Sequence, residues 1–419
     1  MMTTMQQRSN FRTLSVVVTT VFLDYLGISL VIPVAAPLFL SANGFFDVGV
    51  SLDYRALILG LLLGTSPFIQ FFTAPILGAF ADRIGRKPVL LLSVLATGIG
   101  HALTAVGFLT HNLPLLFISR VLSGAGSGNL SAANSAVADV SDSKEKARNF
   151  ALIGAAIGLG FIFGPYLGGK LSDPTIAPWF YYDTPLWAAA ALSLLNAVFI
   201  LLAFSETLRT RIKRKVDILT GARNILRAFA IPELRVLYLV SFLIGFAYNF
   251  FTQFFSVFLV ARFHSTSAEL GVLFAYIGIC TVVAQGFFAR VLASYMRPAI
   301  IIRWAPLVAG IVLAVFAGIH KEQTVYLLIP LAVVAYGLSP ANMTALISDA
   351  AGKESQGEAL GINQSMQALG FAIPPVISGI VTSVSIAMPL ALGAVSFFLA
   401  WGIFTVFHKD GLLGEFHEI

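Results

Sequence analysis

Long apolar runs separated by short polar breaks dominate the chain from about Leu14 onward. A helix that crosses the hydrocarbon core of a bilayer needs about 20 largely apolar residues. Runs of that length fall at 14–40, 55–80, 88–109, 114–138, 147–171 and 184–205, then at 235–261, 268–291, 299–318, 323–348, 356–384 and 386–407. The pattern predicts an all-α membrane protein of twelve transmembrane helices. Pro33, Pro37, Pro67, Pro75, Pro165, Pro340, Pro374 and Pro375 lie inside the runs. In lipid, helix prolines are tolerated where neighbouring groups satisfy the freed backbone. The first dozen residues are mostly polar and no small-residue cleavage site follows a short apolar core, so the first run reads as a retained helix.

The longest polar interruption, 206–234, carries Arg209, Arg211, Lys213, Arg214, Lys215, Arg223 and Arg227. It divides six runs from six. The expected organisation is therefore a six-helix bundle over 1–205, a cytoplasmic linker over 206–234, and a second bundle with a short cytoplasmic tail over 235–419. The halves echo each other. A shift of 210 residues sets Asp139 on Asp349, Gly160 on Gly370, Pro165 on Pro375 and Gly169 on Gly379. A shift of 208 sets Gly78, Phe80 and Ala81 on Gly286, Phe288 and Ala289. Both shifts are about half the chain and align runs of equal membrane orientation. A parallel repeat gives this pattern, with the substrate path at the interface between halves.

Composition sharpens the membrane reading. The chain is 58% hydrophobic and only 11% charged, against roughly 25% charged in soluble proteins. With both termini cytoplasmic, all but five of the 26 Lys and Arg residues fall on cytoplasmic segments. The exceptions are Arg55, Lys170, Arg262 and Lys321 outside and Arg120 embedded. Positive charge gathers on the cytoplasmic side, so a multi-pass protein of a bacterial-type cytoplasmic (inner) membrane is expected. The net charge of +6 is then a topology signal, and no nucleic-acid partner is implied. Cys280 stands alone and cannot close an internal disulfide. His101 and His111 are isolated, so no metal site is expected. No His-Glu-x-x-His, Gly-x-Ser-x-Gly or phosphate-cradling loop supports catalysis or ATP-driven pumping.

Two ionisable side chains lie inside apolar runs. Asp24 stands in Val21-Phe-Leu-Asp24-Tyr25-Leu-Gly27, and Arg120 in Ser119-Arg120-Val-Leu-Ser123-Gly124-Ala-Gly126. An unpaired charge at the bilayer centre costs at least about 2.5–3.5 kcal/mol. A carboxylate there can take up a proton, because burial disfavours its charged form. Asp24 is thus the candidate for proton coupling or cation recognition, with a structural hydrogen bond as the alternative. An arginine keeps its charge, so Arg120 needs an acceptor, a bound anion or water, or else packs or snorkels. Gly124, Ser127, Ser131 and Asn134 follow Arg120 at helical spacing, a polar stripe suited to a cavity. Gln70 in the second run belongs with them. In the second half Tyr248, Asn249, Gln253, Gln285, Asn342, Asn363 and Gln367 can orient a ligand, with Phe251, Phe254, Phe255, Tyr276 and Phe371 as apolar walls. Each can equally be an interhelical hydrogen bond or ordinary packing. No acid lies deep in the second-half runs.

The loop after the second run reads Gly78-Ala-Phe-Ala-Asp82-Arg83-Ile-Gly85-Arg86-Lys87. Gly78 permits close helix approach, Asp82 can accept from a helix N-terminus or an arginine, and the three cations are anchors on the cytoplasmic side. This stretch resembles the signature loop of the major facilitator superfamily. The resemblance implies a conformational latch, completed by an acid ending helix 4 and a cation opening helix 5, places that Asp139 and Arg148 fit. The fifth run carries Gly154, Gly158, Gly160, Gly164, Pro165, Gly168 and Gly169, with glycines every fourth residue on one face. It resembles the antiporter signature of the same superfamily. Helix 1, the loop, and Arg120 to Gly169 look most like the tetracycline–proton exporters. Ser205-Glu206-Thr207-Leu208 is similar to the family's end of helix 6, and Gln356-Gly357-Glu358-Ala359-Leu360-Gly361 to its opening of helix 11. Two positions depart: Thr281 stands where those exporters carry a histidine, and Arg303 is the charged residue where they carry a further acid. The mechanism is therefore better supported than the substrate.

The expectation is a secondary transporter, not an enzyme, working by alternating access and exporting a small amphipathic organic solute in exchange for protons. The rival is an importer or exporter of a nutrient, siderophore or anionic metabolite on the same fold. A non-transporting sensor or intramembrane enzyme finds no motif. No cofactor beyond the proton gradient is implied; the partners are substrate, protons and lipid, and the chain is expected to act as a monomer.

Overall fold

The computed structural model describes residues 2–41, 44–141, 146–208, 220–231 and 234–407. Among them the secondary structure is helical, without strands. Ten helices are long and apolar enough to cross a membrane. The remaining two expected spans are interrupted helices, which completes the twelve-helix arrangement. Outward-facing leucines such as Leu92, Leu195, Leu202 and Leu327 are exposed. That is stable only against hydrocarbon. The chain is a multi-pass membrane protein.

Packing groups the chain into two compact units, Met1–Thr220 with Leu259–Ile279, and Gly221–Phe258 with Cys280–Ile419. The first begins with α1 (Met2–Leu30) and α2 (Ile32–Leu40), one span broken ahead of Pro33. There follow α3 (Leu52–Ile84), α4 (Arg86–Leu109), α5 (Leu113–Gly126), a 3₁₀ turn Ser127–Asn129, α6 (Leu130–Val140), α7 (Lys146–Leu171) and α8 (Thr184–Ala203). Part of the expected linker, residues 209–219 and 232–233, lies outside the described set. Its described part contains α9 (Thr220–Ala230), held by Asn224 Nδ2 donating to Ser365 Oγ at 3.2 Å. Then come α10 (Arg235–Phe263) and α11 (Ser267–Val283), which passes through a π-helical turn Ala284–Phe288 into α12 (Ala289–Tyr295). The chain ends with α13 (Pro298–Ala317), α14 (Glu322–Gly337), α15 (Ser339–Ala372), α16 (Pro374–Val381) and α17 (Met388–Phe407).

Four stretches differ from the sequence expectation, three of them at turn-favouring residues or prolines. The run 114–138 is broken at Ser127-Gly128-Asn129, short polar residues and glycine that favour turns over helix. The run 323–348 is divided at Leu338, because Pro340 opens the next helix and has no N–H to continue the ladder. Residues 349–355, expected as a connection, are helical within α15. Pro374 and Pro375 divide the last part of the eleventh run in the same way.

In the first unit α1 is central. Val17 and Val21 pack with Val89, Val94, Ala133 and Ile200 in its core, and Asn196 Nδ2 on α8 donates to the Thr20 carbonyl at 3.1 Å. In the second unit the core is aromatic: Phe254, Phe255, Phe258, Phe316, Phe397 and Phe404 are fully buried. Phe251 and Phe255 meet Phe316 ring to ring. Phe251, Phe254 and Phe255 therefore serve as core, not as the cavity walls expected from sequence. Gly160 and Gly370, matched by the repeat, do equivalent work. A Cβ on Gly160 would lie 2.9 Å from the Leu26 nitrogen on α1, and one on Gly370 3.0 Å from the Phe246 nitrogen on α10.

Candidate functional site

The break in the fourth span organises the first unit. A 3₁₀ turn inside a helix leaves carbonyls short of partners, and α3 supplies donors. Ser66 Oγ donates to the Arg120 carbonyl at 2.9 Å, Gln70 Nε2 to the Ser127 carbonyl at 2.9 Å and Thr73 Oγ1 to the Gly124 carbonyl at 3.3 Å. The two helices come close because glycines allow it. A Cβ on Gly124 would lie 2.6 Å from the Ser66 carbonyl oxygen, and one on Gly128 2.8 Å from the Ala74 Cα. The turn also re-aims Asn129, which donates from Nδ2 to Asp24 Oδ2 at 2.9 Å. Asp24 is 5% exposed, and its other oxygen has no hydrogen-bond partner. Asp24 thus faces α5–α6 inside its own unit, not the surrounding lipid.

Arg120 is held on α4. One guanidinium nitrogen donates to Thr104 Oγ1 on α4 at 2.7 Å, its Nε lacks a partner, and His101, with both ring nitrogens unpartnered, lies within electrostatic range. Ser127 Oγ donates back to the Ser123 carbonyl at 2.7 Å, and Asn134 is half-buried on α6. The expected stripe is thus divided between neighbouring helices. Asn129, which the stripe passed over, is the residue that reaches the acid.

The loop between α3 and α4 forms one connected network. Arg86, 6% exposed, donates to Asp82 Oδ1 at 2.5 Å and from Nε to Asp139 Oδ2 at 3.2 Å. Thr207 Oγ1 donates to the same Asp139 oxygen at 2.9 Å. Glu206 accepts from the backbone nitrogens of Arg86, Lys87, Thr207 and Leu208 at 2.9–3.1 Å. It thereby caps the N-terminus of α4, which Gly85 leaves without a side-chain cap. Partial burial works to raise the Glu206 carboxyl; the four backbone donors outweigh it, and the net shift is downward. Gly85 has φ +121°, and a Cβ there would run into the Glu206 carboxylate. Both facts require glycine. Gly78 is less constrained than expected, since a Cβ there would be 3.6 Å from Ser131 Oγ, an ordinary contact. Lys87 Nζ donates to the Leu201 carbonyl at 2.8 Å, and Arg83 is exposed at the end of α3. The side chain of Arg148 lies outside the described residues, as do those of Gln356 and Glu358.

On α7 the glycines face two ways. Gly160, Gly164 and Gly168 meet α1, where side chains would run into Leu26, Ser29 and Leu30; Ser29 Oγ donates to the Gly160 carbonyl at 2.8 Å. Gly169 meets α11: a Cβ on it would lie 2.6 Å from the Ser267 carbonyl oxygen, and a Cβ on Gly271 would lie 2.6 Å from that of Pro165. Gly154 has open space around it, and Gly158 lies on the same helix.

In the second unit Asn249 and Asn363, expected to orient a ligand, hold helices together. Asn249 donates to the Phe371 carbonyl and accepts from Thr252 Oγ1 at 3.1 Å. Ser241 Oγ donates to Asn363 Oδ1 at 2.6 Å. Asn342 donates to the Leu338 carbonyl in the turn before it, at 2.6 Å. Gln253 and Tyr276 are half-buried on α10 and α11, and Gln285 is exposed in the π-helical turn. Gln367 and Phe371 do line a pocket, together with Ser241, Tyr336, Ser339 and Met343, which the sequence reading had not singled out. Tyr248 stacks on Tyr336.

The model of the Major Facilitator Superfamily matches residues 17–375. The chain belongs to this superfamily. Over 392 residues it is 24% identical to multidrug resistance protein 1 of Bacillus subtilis (strain 168), covering 93% of this chain and 94% of the relative. Over 395 residues it is 25% identical to the quinolone resistance protein NorA of Staphylococcus aureus (strain COL), covering 93% and 95%. The crystal structure of a D-xylose–proton symporter superposes with a TM-score of 0.75 at 14% identity, covering 94% of this chain and 98% of the symporter, a likeness of fold alone. Major facilitator superfamily proteins are transporters of small molecules, not enzymes, and this chain shares that role.

Proposed function

We propose that this transporter exports a small amphipathic organic solute in exchange for protons, by alternating access. The observation that carries the reading is Asp24: a buried carboxylate with one oxygen on Asn129 and the other unpartnered. In a dry interior such a group is stable when protonated or when it meets a cation. Those are the two states an exchanger alternates between. Solute binding displaces the proton; release of the solute lets the carboxyl recover it. The Asp82–Arg86–Asp139 network is the latch that closes on one conformation, and the α7 glycines let helices rock at close range. The names of the two bacterial relatives, drug-resistance proteins at about a quarter identity, support export of an organic compound.

The test is Asp24→Asn in proteoliposomes, with a solute chosen from an accumulation panel of drugs and metabolites. Gradient-driven transport is expected to fall to the uncoupled background. Transport that still follows the proton gradient removes Asp24 from the coupling role. Direction is read in everted vesicles, where an exporter accumulates solute and an importer does not.

A further inference from the structure

Tyr248 on α10 and Tyr336 on α14 lie face to face, ring centroids 3.3 Å apart and planes 2° from parallel. Like rings prefer offset or edge-on contact, because their electron-rich faces repel. Neighbouring rings follow that preference: Phe246 and Phe250 meet edge-on, and Phe251 and Phe255 are tilted. The tyrosine sandwich is therefore imposed by the two helices, not by attraction between the rings. A third flat ring between them, of different electron density, relieves the repulsion on both faces.

The surroundings let the pair part. Tyr336 lines a small, partly open pocket of about 50 Å³ and so has some room on one side. It stands in the last turn of α14, directly before the break at Leu338. Pro340 cannot restore the interrupted ladder there. Gly337 faces Ala284 and Gln285 in the π-helical turn of the neighbouring helix, so both backbones beside the slot are irregular, as is common at functional sites. The chemistry of the pocket is neutral: its nine lining residues include no carboxylate, ammonium or guanidinium. Ser241 and Gln367 offer hydrogen bonds, and Met343 and Phe371 offer apolar wall.

We propose that Tyr248 and Tyr336 form an aromatic slot that takes a flat, uncharged ring system of the transported molecule between them, with Gln367 addressing a polar substituent at the ring edge. The word transported rests on the export reading above; the binding itself needs no gradient. It is tested on the full-length protein in detergent with two neutral ketones of one skeleton, flat fluorenone and its saturated, puckered counterpart perhydrofluorenone. Fluorenone is expected to raise the unfolding midpoint in a saturable way, and perhydrofluorenone not to. Tyr336→Phe keeps the effect, whereas Tyr336→Leu weakens binding about tenfold, the worth of one stacked face. Equal shifts from both ketones, or native affinity in Tyr336→Leu, overturn the slot. Should Tyr336→Leu fail to fold, Tyr248→Leu reads the same loss, and the two ketones on the native chain decide the matter by themselves. A protein that binds fluorenone but exports nothing keeps the slot and loses the export reading; one that exports with protons yet ignores fluorenone does the reverse.

Discussion

In the first unit a carboxylate sits at 5% exposure with one oxygen on Asn129 and the other bare; in the second, Asn363 sits at 3% exposure with its oxygen taken by Ser241. Both positions are equally dry, so burial does not separate them. What differs is whether the polar group has been committed. Asn249 and Asn363 are neutral and tie α10 to α15, so they fix shape. Asp24 is ionisable and half-partnered, so its state depends on what else arrives, a proton or a ligand. On the exchange reading proposed above, the energy-coupling chemistry falls to the first unit and shape recognition to the second.

The largest effect that sharpens this comparison concerns what the units share. Each sets a glycine of one helix against the first membrane-spanning helix of its own unit, Gly160 on α1 and Gly370 on α10. Gly160→Val and Gly370→Val are each expected to cost about 1–3 kcal/mol, because the added atoms meet backbone that cannot give way. Gly154→Ala, with nothing within 4 Å of the added carbon, is expected to be neutral. Unfolding in detergent measures all three. Equal tolerance at Gly154 and Gly160 breaks the parallel.

A smaller effect concerns what the units do not share. The shift that pairs Gly78 with Gly286 sets Asp82 on Arg290, a cation in place of the acid; the Asp82–Arg86–Asp139 network itself lies in the first unit. Glu206 extends that network to the start of the linker. Its carboxyl is shifted down, so the charged form stabilises the fold above the ordinary carboxylate range. That stability is lost as pH falls through the lowered value. Glu206→Gln is expected to lose part of the stability at neutral pH and to flatten its acid dependence, read as unfolding midpoint against pH. An unchanged acid dependence removes Glu206 from the network.

Much of this was legible in the residues. Long apolar runs locate the spans, since lipid leaves helices no other way to satisfy their backbone. The Asp82 loop and the α7 glycines announce themselves by spacing, and Asp24 by being an acid among apolar neighbours. Periodicity says which residues share a face, but not which neighbour that face meets. Hence Asn129 was missed, because it lies two residues past Ser127, off the face that the stripe follows. Asn342 looked free, yet it bonds one turn back. Glu206 lies 120 residues from the amide it caps, a distance along the chain that carries no signal. Tyr336 reads as one more aromatic until its partner's plane is known.

The central claim is that Asp24 trades a proton for the solute, and proton release on solute binding tests it most directly. The measurement uses purified protein in weak buffer with a pH indicator, and a solute from the accumulation panel. The native chain is predicted to acidify the solution as solute saturates it, and Asp24→Asn to bind solute without releasing a proton. Equal acidification by Asp24→Asn contradicts the account.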